Sequence, residues 1–181
     1  MKKFTLYILT AFGLMGLATS CNDFGDVNND PMNLNPGVVD YKMEFTQVEA
    51  QICGSDWDVW RNGCIYTANM IQHTASVDWA YGVFYTWNDQ YSGAYWGGFY
   101  SGGRAAIRNI IDVMNNWEGN PAYANEYQMC RILKAYMFQN MTDLYGDVPY
   151  SEAGQGYSTN PIPYPKYDTQ EAIYNDLLKE L

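Results

Sequence analysis

From Tyr41 onward the apolar positions of this chain recur mostly at helical spacing, and a series of helices can be drawn from them. Phe45, Val48 and Ile52 make a first stripe, which Gly54 ends. A second helix is expected over about Trp57 to His73. There Trp57, Trp60, Cys64, Ala68 and Ile71 fall at i, i+3, i+7, i+11 and i+14, and Ser55 or Asp56 is placed to cap the start. A third, from Phe99 to about Trp117, carries Ile107, Ile110, Ile111, Met114 and Trp117 and stops at Gly119-Asn120-Pro121. Gly102 and Gly103 are costly inside a helix, so they imply close backbone contact there or a start at Arg104. The central helix spans about Tyr123 to Tyr145 on Ile132, Tyr136, Met137, Met141 and Leu144. Its broad, aromatic-rich apolar face suits a helix packed on more than one side. Gly146 belongs at its C-terminus, and Pro149 prevents continuation. With so short a connection, the third and central helices should form an antiparallel hairpin. A last helix is expected after Asp168, with Glu171 at capping-box spacing and Ile173, Tyr174, Leu177, Leu178 and Leu181 on one face. That face reaches the final residue with no C-cap, which predicts the N-terminal portion of a longer protein.

Between these elements lie stretches of a different kind. Residues 146 to 167 form an irregular arm rich in Gly, Pro and Tyr. Residues 74 to 98 hold Trp79, Tyr81, Phe84, Tyr85, Trp87, Tyr91, Tyr95 and Trp96, interleaved with Asp78, Asn88, Asp89 and Gln90. No helical or strand template orders them, so a loop is expected, with room for a short strand pair. Aromatic faces beside amides and carboxylates are what neutral carbohydrate recognition requires. The C–H faces of a sugar stack on rings, and its hydroxyls take directed hydrogen bonds. Any single ring can equally cap a helical core beneath, but this much aromatic area on a loop cannot all turn inward.

The beginning of the chain is not fold. Lys2 and Lys3, the apolar run Tyr7 to Leu17 and the small residues Ala18-Thr19-Ser20 read as a secretory signal peptide, too short to span a membrane. Cys21 directly after it reads as the lipid-bearing N-terminus of a bacterial lipoprotein, although Ala18 and Ser20 depart from the commonest residues. Residues 22 to 40, rich in Asn, Asp, Gly and Pro, read as a tether. A chain of 181 residues, 48% hydrophobic and 17% charged, buries a real core. Without its first twenty residues it holds eight basic and twenty acidic side chains, a net of −12. That balance argues against nucleic acid or an anionic bilayer surface as a direct partner.

The familiar catalytic signatures are missing. The chain has one histidine, His73, and no nucleophile elbow, dinucleotide loop or phosphate loop. Cys53, Cys64 and Cys130 lack zinc-type pair spacing and are expected as buried thiols, Cys64 because it lies on an apolar stripe. Asp143 and Asp147, one turn apart, cannot face each other across a cleft as glycosidase carboxylates do. They are expected to fix the turn or form a solvated edge.

One string carries a resemblance. Arg131 to Glu152, RILKAYMFQNMTDLYGDVPYSE, with its Asp143-Leu144-Tyr145-Gly146-Asp147-Val148-Pro149 core, resembles the helix and turn of the SusD/RagB family of nutrient-binding outer-membrane lipoproteins. The start after Cys21, the Trp96-to-Tyr100 spacing and the Pro/Tyr-rich arm leading into a helix also match that family. The resemblance implies a mostly α fold of tetratricopeptide-like helix pairs with a loop-rich aromatic face. It divides the chain into a signal peptide (1–20), a lipidated tether (21–40) and the start of a helical domain (41–181). It implies a non-catalytic protein without cofactor or metal, lipid-anchored at the outer membrane and facing the exterior. Such a protein captures an oligosaccharide and passes it to a SusC-like TonB-dependent transporter. Within the family pattern Trp96 is assigned to packing, leaving Trp79, Tyr81, Trp87 and Asn88 as ligand candidates. A peptide ligand remains open, as do a surface glycosidase with its carboxylates beyond Leu181 and a purely structural scaffold.

Overall fold

The expected helices form, and two of them are redrawn. The structure, a computed structural model, describes residues 40–101, 104–156 and 160–181. The signal peptide, Cys21, the tether up to residue 39 and the Gly102-Gly103 pair lie outside the described residues. Helix α1 is Tyr41–Gln51, started by the Asp40 side chain accepting from the Lys42 N–H. Helix α2 is composite: Asp56–Asp58, a π-helical stretch Val59–Thr67, then Ala68–Met70. Two short helices follow, α3 (Asp89–Ser92) and α4 (Ala94–Tyr100). Then come α5 (Ala106–Trp117), a 3-10 turn at Pro121–Tyr123, α6 (Ala124–Tyr145) and α7 (Gln170–Glu180). Of the expected third helix only Phe99 and Tyr100 belong to α4 and the rest is α5, with Ala105 before it at a φ of 34° that no regular helix tolerates. Helix α3 and most of α4 lie in the stretch 74 to 98, expected as a loop. No strand occurs among the described residues, so the strand pair allowed for residues 74 to 98 is not there. An isolated antiparallel bridge joins Val148 to Asp168.

Helix α1 packs on α5, α5 on α6 as the expected hairpin, and α6 on α7. Their shared core holds Val48, Ile107, Ile110, Val113, Met137, Phe138, Met141 and Ile173, each sealed from solvent. Each such side chain contributes about 1.5–3 kcal/mol by burial. Phe45 and Tyr123 pack their rings on Trp117, at 5.6 and 5.1 Å between centroids.

Two faces differ here from the apolar stripes read in sequence. On α6, Ile132 and Tyr136 are exposed, and the buried side is Cys130, Ala135, Met137, Phe138, Met141 and Thr142. On α7 only Ile173 and Leu177 are buried, while Leu178 and Leu181 face out. The expected Asp168 cap is also displaced. Thr169 caps α7 through the Ala172 N–H, because Asp168 is held in its bridge and accepts from the Ser151 N–H at 2.7 Å.

The motif after α6 fastens the arm to α7. Gly146 turns at φ 75° and donates to the Thr142 carbonyl at 2.8 Å. Asp147 accepts from the Gln170 N–H at 2.9 Å, Asp143 accepts from the Tyr174 hydroxyl, and Tyr150 donates to Asp176 at 2.7 Å. The two aspartates thus fix the turn, one of the roles expected of them.

Candidate ligand-binding site

The site is built on the π-helical stretch of α2. A π-helix bonds i to i+5, so its turn is wider than 3.6 residues and faces read at α spacing rotate away. The buried positions are Asp58, Asn62, Ile65, Tyr66 and Asn69, whereas Trp57 and Ile71, expected on the inner stripe, are exposed. Cys64 is exposed for the same reason and Cys53 in the turn after α1, which corrects the expectation of buried thiols. Cys130 alone fits it: burial pushes its thiol up to about 12.

The wide turn leaves the Ile65 carbonyl able to accept twice, from Asn69 Nδ2 at 3.0 Å and from the Gly82 N–H at 3.2 Å. The aromatic loop docks through that second bond. A Cβ on residue 82 would lie 2.5 Å from the Ile65 oxygen and 2.7 Å from the Tyr66 oxygen, so only glycine fits. The buried Tyr66 adds its hydroxyl, which donates to the carbonyls of Thr86 and Asn88 at 3.2 and 3.4 Å. Burial raises that phenol above its ordinary range. Three non-glycine residues, Gln72, Trp79 and Tyr85, are held at φ between 48 and 60° along this segment. Such backbone persists where surrounding contacts over-determine it, and it clusters at ligand sites.

The docked loop brings rings from three elements together. Trp60 of α2 is the hub, edge-on to Trp57 (5.4 Å), Trp79 (5.3 Å) and Tyr91 (5.9 Å). Tyr81 joins through Tyr91 at 5.4 Å and lies nearly parallel to Tyr66 at 6.3 Å. The Arg61 guanidinium sits 5.5 Å over the Trp57 ring and 5.9 Å over Tyr91. Its buried Nε has no hydrogen-bond partner among the described residues, so ring contact is what holds the group. The outer rings stay open, Trp57 at 60% and Trp79 at 52% exposure. The cluster offers ring faces, ring edges and one cation to a ligand.

Two groups of bonds hold this surface in place. Ser55 and Asp58 close a capping box at the start of α2, and the Asp58 carboxylate also takes both guanidinium nitrogens of Arg104. Burial alone would raise the Asp58 carboxyl, but the bonds from Arg104 and Ser55 outweigh it and hold the group below its ordinary value. Beneath α3, the Tyr145 hydroxyl donates to the Ser92 carbonyl at 2.8 Å. It accepts from Asn62 Nδ2 at 3.3 Å and from the Trp96 N–H at 3.1 Å. The tyrosine of the Asp-Leu-Tyr-Gly-Asp motif therefore ties α2, α3 and α4 to the end of α6.

Of the residues singled out in sequence, Trp79 and Tyr81 stand in the ring cluster. Trp87 lies at 76% exposure, its indole N–H donating to Asp89. Asn88 caps α3, its Oδ1 accepting from the Tyr91 N–H at 3.2 Å, which leaves its NH2 group for a ligand. Sequence reading placed Trp57 and Trp60 on a core stripe and passed over Arg61 and Tyr91. The Trp-x-x-Trp-Arg spacing was the available signal, since it sets both indoles on one side of a helix. Among the described residues no cluster of His, Cys, Asp or Glu is arranged to hold a metal, and no helix is long and apolar enough to cross a membrane.

Comparison with known proteins agrees with this architecture. No curated relative matches the chain. Among solved structures it is similar to a protein titled chitin-binding, with a TM-score of 0.63 and 32% identity over 77% of this chain and 28% of that one. It is also similar to a SusD-like protein from Bacteroidetes, with a TM-score of 0.63 and 29% identity over 78% of this chain and 25% of that one. The chain thus spans about a quarter of the length of these structures, and it shares their tetratricopeptide-like helical fold. The profile of a SusD-like family described as starch-binding, associating with outer membrane, matches residues 38–181. The chain belongs to this SusD-like family.

Proposed function

We propose that the protein captures a neutral oligosaccharide at the cell surface, without catalysis, and delivers it to a SusC-like TonB-dependent transporter in the outer membrane. A lipid on Cys21 would anchor it there. The observation that carries this reading is the ring cluster of Trp57, Trp60, Trp79, Tyr81 and Tyr91. It is held by backbone bonds, open to solvent and bordered by Asn88 and Arg61. A preformed aromatic platform loses little conformational entropy when a sugar face settles on it. The family's description and the chitin-binding neighbour point to the same chemistry. Asp143 and Asp147 are engaged by Tyr174 and the Gln170 N–H, which gives both a structural role.

Tryptophan fluorescence tests the reading through titration with oligosaccharides from starch and chitin and with peptides of similar size. A saturable shift with one glycan is expected. Trp79→Ala should weaken it by about tenfold or more, the scale of truncating one central contact residue. Equal response to every glycan and peptide, or affinity untouched by Trp79→Ala, would count against the cluster as the site.

A further inference from the structure

We propose that a second, separate cleft on this chain binds a saccharide unit of the same glycan. It lies beneath the arm that follows α6, between Trp96 and Tyr100 of α4, Arg108 of α5 and the arm residues Glu152, Gln155 and Tyr167. Its volume is about 550 Å³, within the range of small-molecule sites. The inference rests on the saccharide-capture reading and extends it to a second place on the chain.

The cleft is held open by bonds that do not depend on a ligand. The Val148–Asp168 bridge and the Ser151 N–H to Asp168 bond fix one end of the arm. The Lys166 N–H donates to Glu152 at 2.9 Å, and the Ile162 N–H donates to the Gln155 carbonyl at 3.1 Å. These bonds tie the described residues of the arm to one another. Within the lining, the Trp96 and Tyr167 rings lie 19° from parallel with centroids 6.1 Å apart. At that separation the rings are offset, so their faces continue one another instead of covering one another. Tyr100 braces Trp96 at 4.7 Å and is itself fixed by donating to the Pro149 carbonyl at 2.6 Å.

The chemistry of the lining selects the ligand class. Offset flat rings match the C–H faces of a pyranose. Arg108, Glu152 and Gln155 around them carry the kinds of donor and acceptor that sugar hydroxyls take, while bonding also to Asn109, Lys166 and Ser151. Glu152 is already paired with Lys166, whose Nζ lies 3.9 Å from its Oε1, so the wall presents no unbalanced carboxylate to a charged peptide. Tyr167, at 62% exposure, and Tyr164, at 91%, stand at the mouth. A glycan spanning both sites would gain affinity by effective concentration without any new contact type.

Calorimetry of the purified chain with di- and hexasaccharides from starch and chitin tests this. Two disaccharides per chain are expected, with Tyr167→Ala removing one and Trp79→Ala removing the other. The hexasaccharide should lose about tenfold in affinity with Tyr167→Ala. Both residues are surface rings, and unchanged melting temperatures would verify the variants. One disaccharide per chain with Tyr167→Ala silent overturns the second site and leaves the first standing. A cleft that takes up a proline-rich peptide and no saccharide overturns it as well. Absence of any saccharide binding overturns both readings. Loss of only the Tyr167-dependent event, with Trp79→Ala silent, keeps the cleft and removes the ring cluster.

Discussion

Replacing Gly82 by Ala should abolish oligosaccharide binding at the ring cluster while leaving the helical core folded. The added methyl would stand 2.5 Å from the Ile65 carbonyl oxygen and 2.7 Å from that of Tyr66. Both are backbone atoms of the π-helical stretch and have no rotamer with which to move aside. Residue 82 is not in the left-handed region, so the effect is one of space and not of backbone strain. Relief requires the loop to lift, which costs the Gly82 N–H bond to Ile65 and loosens the Tyr66 hydroxyl from Thr86 and Asn88. Overpacking of this kind costs about 1–3 kcal/mol or more. Trp79 and Tyr81 would then leave Trp60 and Tyr91, and affinity should fall at least about a hundredfold, the equivalent of about 2.7 kcal/mol. Hydrogen exchange should quicken across residues 78 to 88 and stay slow at Val113 and Met137. Uniformly faster exchange through α5 and α6 would show that the loop is part of the cooperative core and that the site is not an independent attachment.

The second large effect concerns the Asp58–Arg104 pair and turns on which partner is removed. The Asp58 side chain is 5% exposed and that of Arg104 38%. Arg104→Met would strand a buried carboxylate, a loss of about 3–5 kcal/mol. Asp58→Asn would leave a cation that still reaches water, and it should cost clearly less. The pH dependence should differ in size. In the native protein the Asp58 carboxyl is held below its ordinary value, so its contribution is present above the unfolded-state pKa and is lost as pH falls through the folded one. Without Arg104 the bonds from Ser55 remain but the largest lowering influence is gone, so the variant should lose less stability on acidification than the native protein. Urea unfolding between pH 3 and 7, taken as the difference between native and Arg104→Met, reads this directly. A difference independent of pH would mean that the pair contributes by packing alone.

Much of the fold was legible because helix ends carry local chemistry. Ser55 with Asp58, Gly146 before Pro149, and Asn120-Pro121 stand where a chain of any tertiary context must turn or stop. The faces of the helices were less legible. The stripe from Trp57 to Ile71 assumed 3.6 residues per turn, and a π-helical stretch rotates that register so that Asp58, Asn62 and Asn69 go inward. Those polar residues are buried because each finds a partner far away in sequence or across its own wide turn: Arg104, Tyr145 and the Ile65 carbonyl. Hydrophobic periodicity has no term for such pairings. The aromatic-rich face of α6 suits packing on more than one side, yet Ile132 and Tyr136 stay outside, since α5 and α7 between them cover only part of the helix.

The candidate site shows the same division. Aromatic density marked the segment from Trp79 to Asn88, but which rings meet was fixed by α2, through Trp60 and the carbonyl that receives Gly82. The Gly-, Pro- and Tyr-rich arm and the Trp96-to-Tyr100 spacing stand out in sequence, but nothing there joins them into a cleft. Trp96 and Tyr167 are 71 positions apart, and the Val148–Asp168 bridge helps bring them together.

The most direct test of the central claim is to follow the indole N–H resonances of the six tryptophans while a neutral oligosaccharide is added. Trp57, Trp60 and Trp79 should shift together along one saturation curve, and the buried Trp117 should stay still. Saturable binding that leaves Trp57, Trp60 and Trp79 unmoved would contradict the ring cluster as the site of capture.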